Sequence, residues 1–141
     1  MKNLFQTIIF FLLVITGVGC NSSDEPEYTE LRTEFVDSCD APDEEANTFD
    51  GRWVDDYYLC DVTTIYLRSF EKVTSVYASY SDDDRKLVIH INTDLDSFPV
   101  DLDRKAKITF KLFGIPRKDY ELVVYVGSNQ LNLTPGWWNF N

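Results

Sequence analysis

The sequence predicts an all-β protein, a small Greek-key β-sandwich, with a small β-barrel as the alternative. Three observations carry that expectation. Short segments alternate apolar and polar residues with a period of two, the spacing that sends successive side chains to opposite faces of a sheet. Clusters of Gly, Pro, Asp, Asn and Ser stand between these segments, where the chain must reverse. No long window repeats its apolar positions at the helical spacing. Aromatic residues make up 15% of the 141, which supplies core volume and excludes a wholly disordered chain.

The segments follow in order. Leu31, Thr33 and Phe35 alternate with Glu30, Arg32 and Glu34 and form a first strand. Residues 37–50 then carry six carboxylates and no basic residue, and residues 40–51, with Pro42 and Gly51, read as a long loop. Residues 52–59, 62–68 and 73–80 have the β-branched and aromatic composition of strands. Residues 81–85, with three consecutive aspartates, form a turn. Beyond it Leu87, Ile89 and Ile91 alternate with Lys86, Val88 and His90. The cleanest alternation sets Ala106, Ile108, Phe110 and Leu112 against Lys105, Lys107, Thr109 and Lys111, so the lysines read as a solvent face. Gly114 and Pro116 supply a turn into residues 120–126, a continuous β-rich run suited to a central strand. Gly127-Ser128-Asn129 opens a last hairpin, with Leu131-Asn132-Leu133 as its short final strand. Seven or eight short strands at this spacing suit a sandwich of the immunoglobulin-like or transthyretin-like kind.

Charge narrows the partners. The chain holds 24 acidic and 13 basic residues, a net charge of -11. Residues 20–103 contain 22 acids and 6 bases, whereas residues 104–141 contain 2 acids and 6 bases. A nucleic-acid binder needs a basic footprint that displaces phosphate counterions, so that class is excluded.

The N-terminus has the pattern of a secretory leader. Lys2 precedes the apolar run of residues 8–15, and small residues Gly17 and Gly19 follow it, the pattern of a secretory signal. The uncharged stretch 4–19 has 16 residues, short of the ~20 needed to span a bilayer. Gly19 followed by Cys20 resembles the lipobox of bacterial lipoproteins, with Gly17 standing where Leu is usual, as in the looser boxes of Bacteroidota lipoproteins. The polar stretch Asn21-Ser22-Ser23-Asp24-Glu25-Pro26-Glu27 reads as a tether. It also resembles the acidic surface-export signal of those lipoproteins. The resemblance implies a signal peptide at residues 1–19 and lipid, diacylglycerol with acyl chains such as palmitate, on Cys20. It further implies an acidic tether at 20–28 and a single domain at 29–141. The protein would then be an outer-membrane lipoprotein on the periplasmic or external face. With Cys20 lipidated, Cys39 and Cys60 remain as an even pair in an oxidising compartment. A disulfide between them would close a loop of 22 residues and stabilise by ~3 kcal/mol; two unpaired thiols are the alternative.

Candidate chemistry is sparse. His90, the single histidine, points away from the Leu87/Ile89/Ile91 face, and no Gly-x-Ser-x-Gly elbow accompanies it. Carboxylate pairs are too many to single out a hydrolase pair. Asn92, Asp94, Asp96 and Asp103 take spacings of a calcium loop, but Ser97 and Pro99 break the EF-hand pattern. Asp94, Asp96, Asp101 and Asp103 therefore remain only a weak calcium candidate. Phe49-Asp50-Gly51-Arg52-Trp53 resembles the Gly-x-Trp motif of the lipocalin first strand, which implies a closed barrel with an apolar cavity. Trp53, Tyr57, Trp137 and Trp138 are candidate binding aromatics for a sugar or a protein. The plainer reading is that the tail rings pin the C-terminus to the core. Adjacent Trp residues in a strand face opposite ways, so one of Trp137 and Trp138 is expected to be the more exposed. The sequence thus points to a non-enzymatic envelope module for binding or assembly. It would need no cofactor, meet the membrane through its N-terminal lipid, and engage a protein or glycan. The alternatives are a lipocalin-like carrier or a dedicated glycan-binding module.

Overall fold

A computed structural model describes residues 25–41, 47–67, 72–94, 104–133 and 136–141. The leader, Cys20, Asp96, Asp101 and Asp103 lie outside these residues. The chain forms β1 (Thr29–Asp40), β2 (Thr48–Val54), β3 (Tyr57–Leu67), β4 (Val73–Ser81), β5 (Lys86–Thr93), β6 (Arg104–Phe113), β7 (Asp119–Val126), β8 (Asn129–Gln130) and β9 (Trp137–Asn139). The described residues contain no helix, so the protein is all-β. Sandwich and barrel merge here into one continuous sheet in the order β2-β3-β6-β1-β4-β5-β7-β8, with β9 also on β7. The sheet curls so that its two halves face each other across one core.

β1 is the hinge of this arrangement. Its first residues, Thr29 to Leu31, pair with β4, and the rest, from Arg32, pairs with β6. A register shift between Phe35 and Asp37 leaves Val36 as an extra, exposed residue, which bends the strand as bulges do. The Thr33 hydroxyl donates to the Val76 carbonyl of β4 and ties the bend to the second half. One half therefore comprises β2, β3, β6 and most of β1; the other comprises the start of β1 with β4, β5, β7, β8 and β9.

Alternation decides which face is inside. Ala106, Ile108, Phe110 and Leu112 are fully buried, as are Leu87, Ile89 and Ile91, and Lys107 and Lys111 stand on the opposite face. Lys107 reaches Asp61 at 3.1 Å and Lys111 reaches Glu34 at 2.7 Å.

Four details depart from the sequence reading. Residues 52–59 are two strands, because Asp55 adopts φ 53° and the chain reverses at Asp55-Asp56. β2 begins at Thr48, so the loop read over residues 40–51 is shorter and Gly51 is a strand residue. The final strand is Trp137–Asn139 rather than Leu131-Asn132-Leu133. β5 and β7 pair in parallel, with β6 crossing to the other half between them. That order, which runs from β2 to β8 without closing, also differs from the closed barrel implied by the Gly51/Trp53 resemblance.

The expected Cys39–Cys60 disulfide is corrected by the register. Cys39 lies opposite Lys107 and Cys60 opposite Phe110, with β6 between them. Two strand spacings and three residues of offset separate their Cα atoms by ~14 Å, against the roughly 4.4–6.8 Å that a disulfide spans. They also face opposite sides, Cys39 exposed and Cys60 buried, and both are free thiols. Burial, reinforced by the nearby Asp61 carboxylate, pushes the Cys60 thiol well above its ordinary pKa. A thiol reagent is accordingly expected to modify Cys39 in the native protein and Cys60 only after denaturation. Peptide mapping reads this directly, and recovery of a native Cys39–Cys60 bond would contradict the register.

Candidate functional site

The structure sorts the candidate aromatics by what they touch. Trp53 belongs to the closure of the sheet. Its Nε1–H donates to the Phe140 carbonyl at 2.8 Å, its ring meets Tyr58 edge-on at 5.3 Å, and the Arg117 guanidinium lies 4.3 Å from its centroid. Trp138 is likewise half-buried. Its Nε1–H donates to the Tyr58 hydroxyl at 2.7 Å, and its ring packs on Phe49 at 5.2 Å. Tyr57 lies on the outer face of the β2-β3-β6-β1 half, 5.5 Å from Phe113, with the Lys111 ammonium 5.2 Å from its ring.

Trp137 differs. It pairs with Glu121 at the start of β7 and is 52% exposed, pointing away from the core that takes Trp138. β9 is extended, so the two neighbouring rings diverge. Trp137 lines a groove of about 410 Å³ with Arg85, Asp119, Trp138 and Asn139. Arg85 has φ 50°, which turns the β4–β5 hairpin and carries its guanidinium to 5.8 Å from the Trp137 centroid and 3.8 Å from Asp119 Oδ2. Asp119 Oδ1 is buried and takes no hydrogen bond among the described residues. An exposed ring beside a cation, an amide and a half-exposed carboxylate can stack on and orient a ligand.

No protein-family model, curated protein or solved structure matches this chain.

Its functional reading therefore rests on the face itself. The outer face of the β2-β3-β6-β1 half offers a larger groove, about 660 Å³, lined in part by Asp40, Asp50, Asp61 and Lys107. Internal pairing meets much of its polarity: Asp61 accepts from Thr109 at 2.6 Å and faces Lys107. Asp94, the described member of the calcium candidate, accepts the Lys72 N–H at 2.9 Å. The described residues hold no metal-binding group of three His, Cys, Asp or Glu side chains. His90 is exposed on β5 and stacks on Tyr125 at 4.8 Å. The sequence reading missed Arg85 and Asp119. They sit at strand ends, where alternation carries little signal and only the hairpin geometry brings them to Trp137.

Two buried phenols carry a pH dependence. Desolvation, helped by the nearby Asp82 carboxylate, raises Tyr120 from 10.0 to about 12. Burial also raises Tyr58, against the lowering effect of its Trp138 hydrogen bond. The folded state prefers both phenols protonated. Their contribution to stability is whole below pH 10 and is lost as pH rises from 10 through about 12. Urea midpoints are expected to fall across that range, and Tyr120→Phe to flatten the fall; a midpoint independent of pH there contradicts the burial of these hydroxyls.

Proposed function

We propose that this protein is a lipid-anchored envelope protein that acts as a non-catalytic binding or assembly module. Its partner is a protein or a glycan. The observation that carries the binding half is Trp137: of the three tryptophans it alone is left outside the core, and it stands beside polar groups that can orient a ligand. The anchor half rests on the leader and on Cys20. The Trp137 groove, with Arg85 from the 82–85 turn, lies at the pole where the tether enters. The tether enters at Thr29, level with Tyr80 and the 82–85 turn. The strand ends at Asp40, Leu67, Thr93 and Arg104, which flank the longer connections, belong to the opposite pole.

Cys20→Ala is expected to abolish labelling by a fatty-acid analogue, and continued labelling removes the anchor from the reading. A photo-crosslinking residue in place of Trp137 is expected to give an adduct with an envelope component in cells. Failure to form one, with the fold intact, removes the binding face.

A further inference from the structure

The outer face of the β1-β4-β5-β7 half carries a second aromatic groove that the Trp137 site does not use. Tyr77 on β4 lies opposite His90 on β5, and His90 lies opposite Tyr125 on β7. The His90 ring stacks on Tyr125 at an interplanar angle of 7°, so its orientation is set and one imidazole face is covered. Tyr77 is 60% exposed, the most exposed of the large hydrophobic side chains described. Tyr28 stands two residues before Glu30 at the start of the same face. Tyr28, Glu30, Tyr77, Ser79 and His90 line a groove of about 300 Å³.

We propose that this groove is a saccharide subsite, and that it and the Trp137 groove together hold one neutral oligosaccharide chain laid across the face. The inference rests on the binding-face reading of Trp137 and narrows its partner to a glycan. Three observations lead there. First, each groove combines an exposed ring with short polar side chains. A pyranose presents an apolar C–H face and a rim of hydroxyls, so it needs a ring to stack on and a carboxylate, hydroxyl, amide or imidazole to hydrogen-bond. Tyr77 with Glu30, Ser79 and His90 supplies that set once. Trp137 with Asp119 and Asn139 supplies it again.

Second, the register puts both on one outer face of the sheet. Trp137, Glu121, Lys86 and Ser81 form one row across β9, β7, β5 and β4. Tyr77 is four residues further along β4 from Ser81. Three strand spacings and four residues of rise place the Trp137 and Tyr77 Cα atoms ~20 Å apart. That suits a chain of several sugar units and is too far for one monosaccharide. Between them lie Val88 and Val123, paired side by side and low on the face. Third, the net charge of -11 opposes a polyanion, so a uronate or sulfated polymer is the wrong ligand and a neutral chain the right one.

The test uses full-length protein extracted in detergent. Its probes are an immobilised glucan, mannan and xylan, with polygalacturonate as the acidic control. The wild type is expected to retain at least one neutral polymer and not polygalacturonate. Tyr77→Ala is expected to weaken retention about tenfold, the scale of one lost stacking contact, with Tyr77→Phe keeping most of it. Trp137→Ala is expected to weaken it similarly. A disaccharide from the bound polymer should be weakened by only one of the two substitutions. Retention of no neutral polymer overturns the glycan assignment and leaves the anchor and a protein partner standing. Loss in Trp137→Ala with none in Tyr77→Ala overturns the second subsite alone. Equal retention on polygalacturonate overturns the neutral chain.

Discussion

Phe140→Ala is expected to destabilise the fold by about 3–5 kcal/mol, the cost of truncating a fully buried aromatic. Phe140 follows β9, a strand of only three residues. It is 0% exposed and closes the gap between the halves of the sheet. Its ring lies 4.7 Å from Tyr58 on β3, 6.1 Å from Phe49 on β2 and 5.8 Å from Tyr120 on β7. Its backbone is tied as firmly: the N–H donates to the Lys118 carbonyl at 3.0 Å, and the carbonyl accepts from Trp53. Removing the ring leaves a cavity bordered by both halves and frees the strap that keeps Trp138 on Phe49. Urea denaturation followed by tryptophan fluorescence reads the loss. A change below about 1 kcal/mol, in the range of an ordinary surface substitution, would show that the C-terminus does not close the sheet.

Gly51→Ala is expected to cost about 1–3 kcal/mol, the range for overpacking a well-filled site. A Cβ at Gly51 would fall 2.4 Å from Tyr58 Cε1 and 2.7 Å from the Leu59 carbonyl oxygen. Neither neighbour yields easily. Tyr58 is held by Trp138 through its hydroxyl, by Trp53 edge-on and by Phe140. The Leu59 carbonyl is backbone in the β2–β3 ladder. Glycine is needed here for close approach across the strand pair, and no left-handed conformation is involved. In a Tyr58→Leu background the added methyl meets less side chain, so the cost of Gly51→Ala should shrink. Additive costs in that double-mutant cycle would remove the Tyr58 ring from the explanation.

The alternation of Ala106, Ile108, Phe110 and Leu112 with Lys105, Lys107, Thr109 and Lys111 was enough to place a strand and its buried face, because a half-buried strand writes its orientation into every second residue. The same holds for Leu87, Ile89 and Ile91, and for the outward direction of His90. The pattern fails where strands end or bend. Asp55-Asp56 reads as part of a strand until the Asp55 backbone shows the reversal, and β9 pairs through only three residues. The candidate site was legible in part. Adjacent tryptophans in an extended segment must diverge, but only packing decides that Trp138 goes in and Trp137 stays out. Tyr77 carries no signal of its own, since its exposure depends on which face of β4 meets the core.

The sequence by itself determined the class of the fold, the net acidic charge, and the expectations of a lipid-bearing N-terminus and of partners other than nucleic acid. Those properties are local or summed: they need the order and composition of residues but no long-range contact. Tertiary structure decided everything that depends on which strands become neighbours. Pairing is set by the burial of whole faces, and sequence distance says little about it. Thus Cys39 and Cys60, only 21 positions apart in the chain, stand on opposite faces with β6 between them. By the same rule Trp53 meets Phe140, 87 residues away, and shuts the sheet.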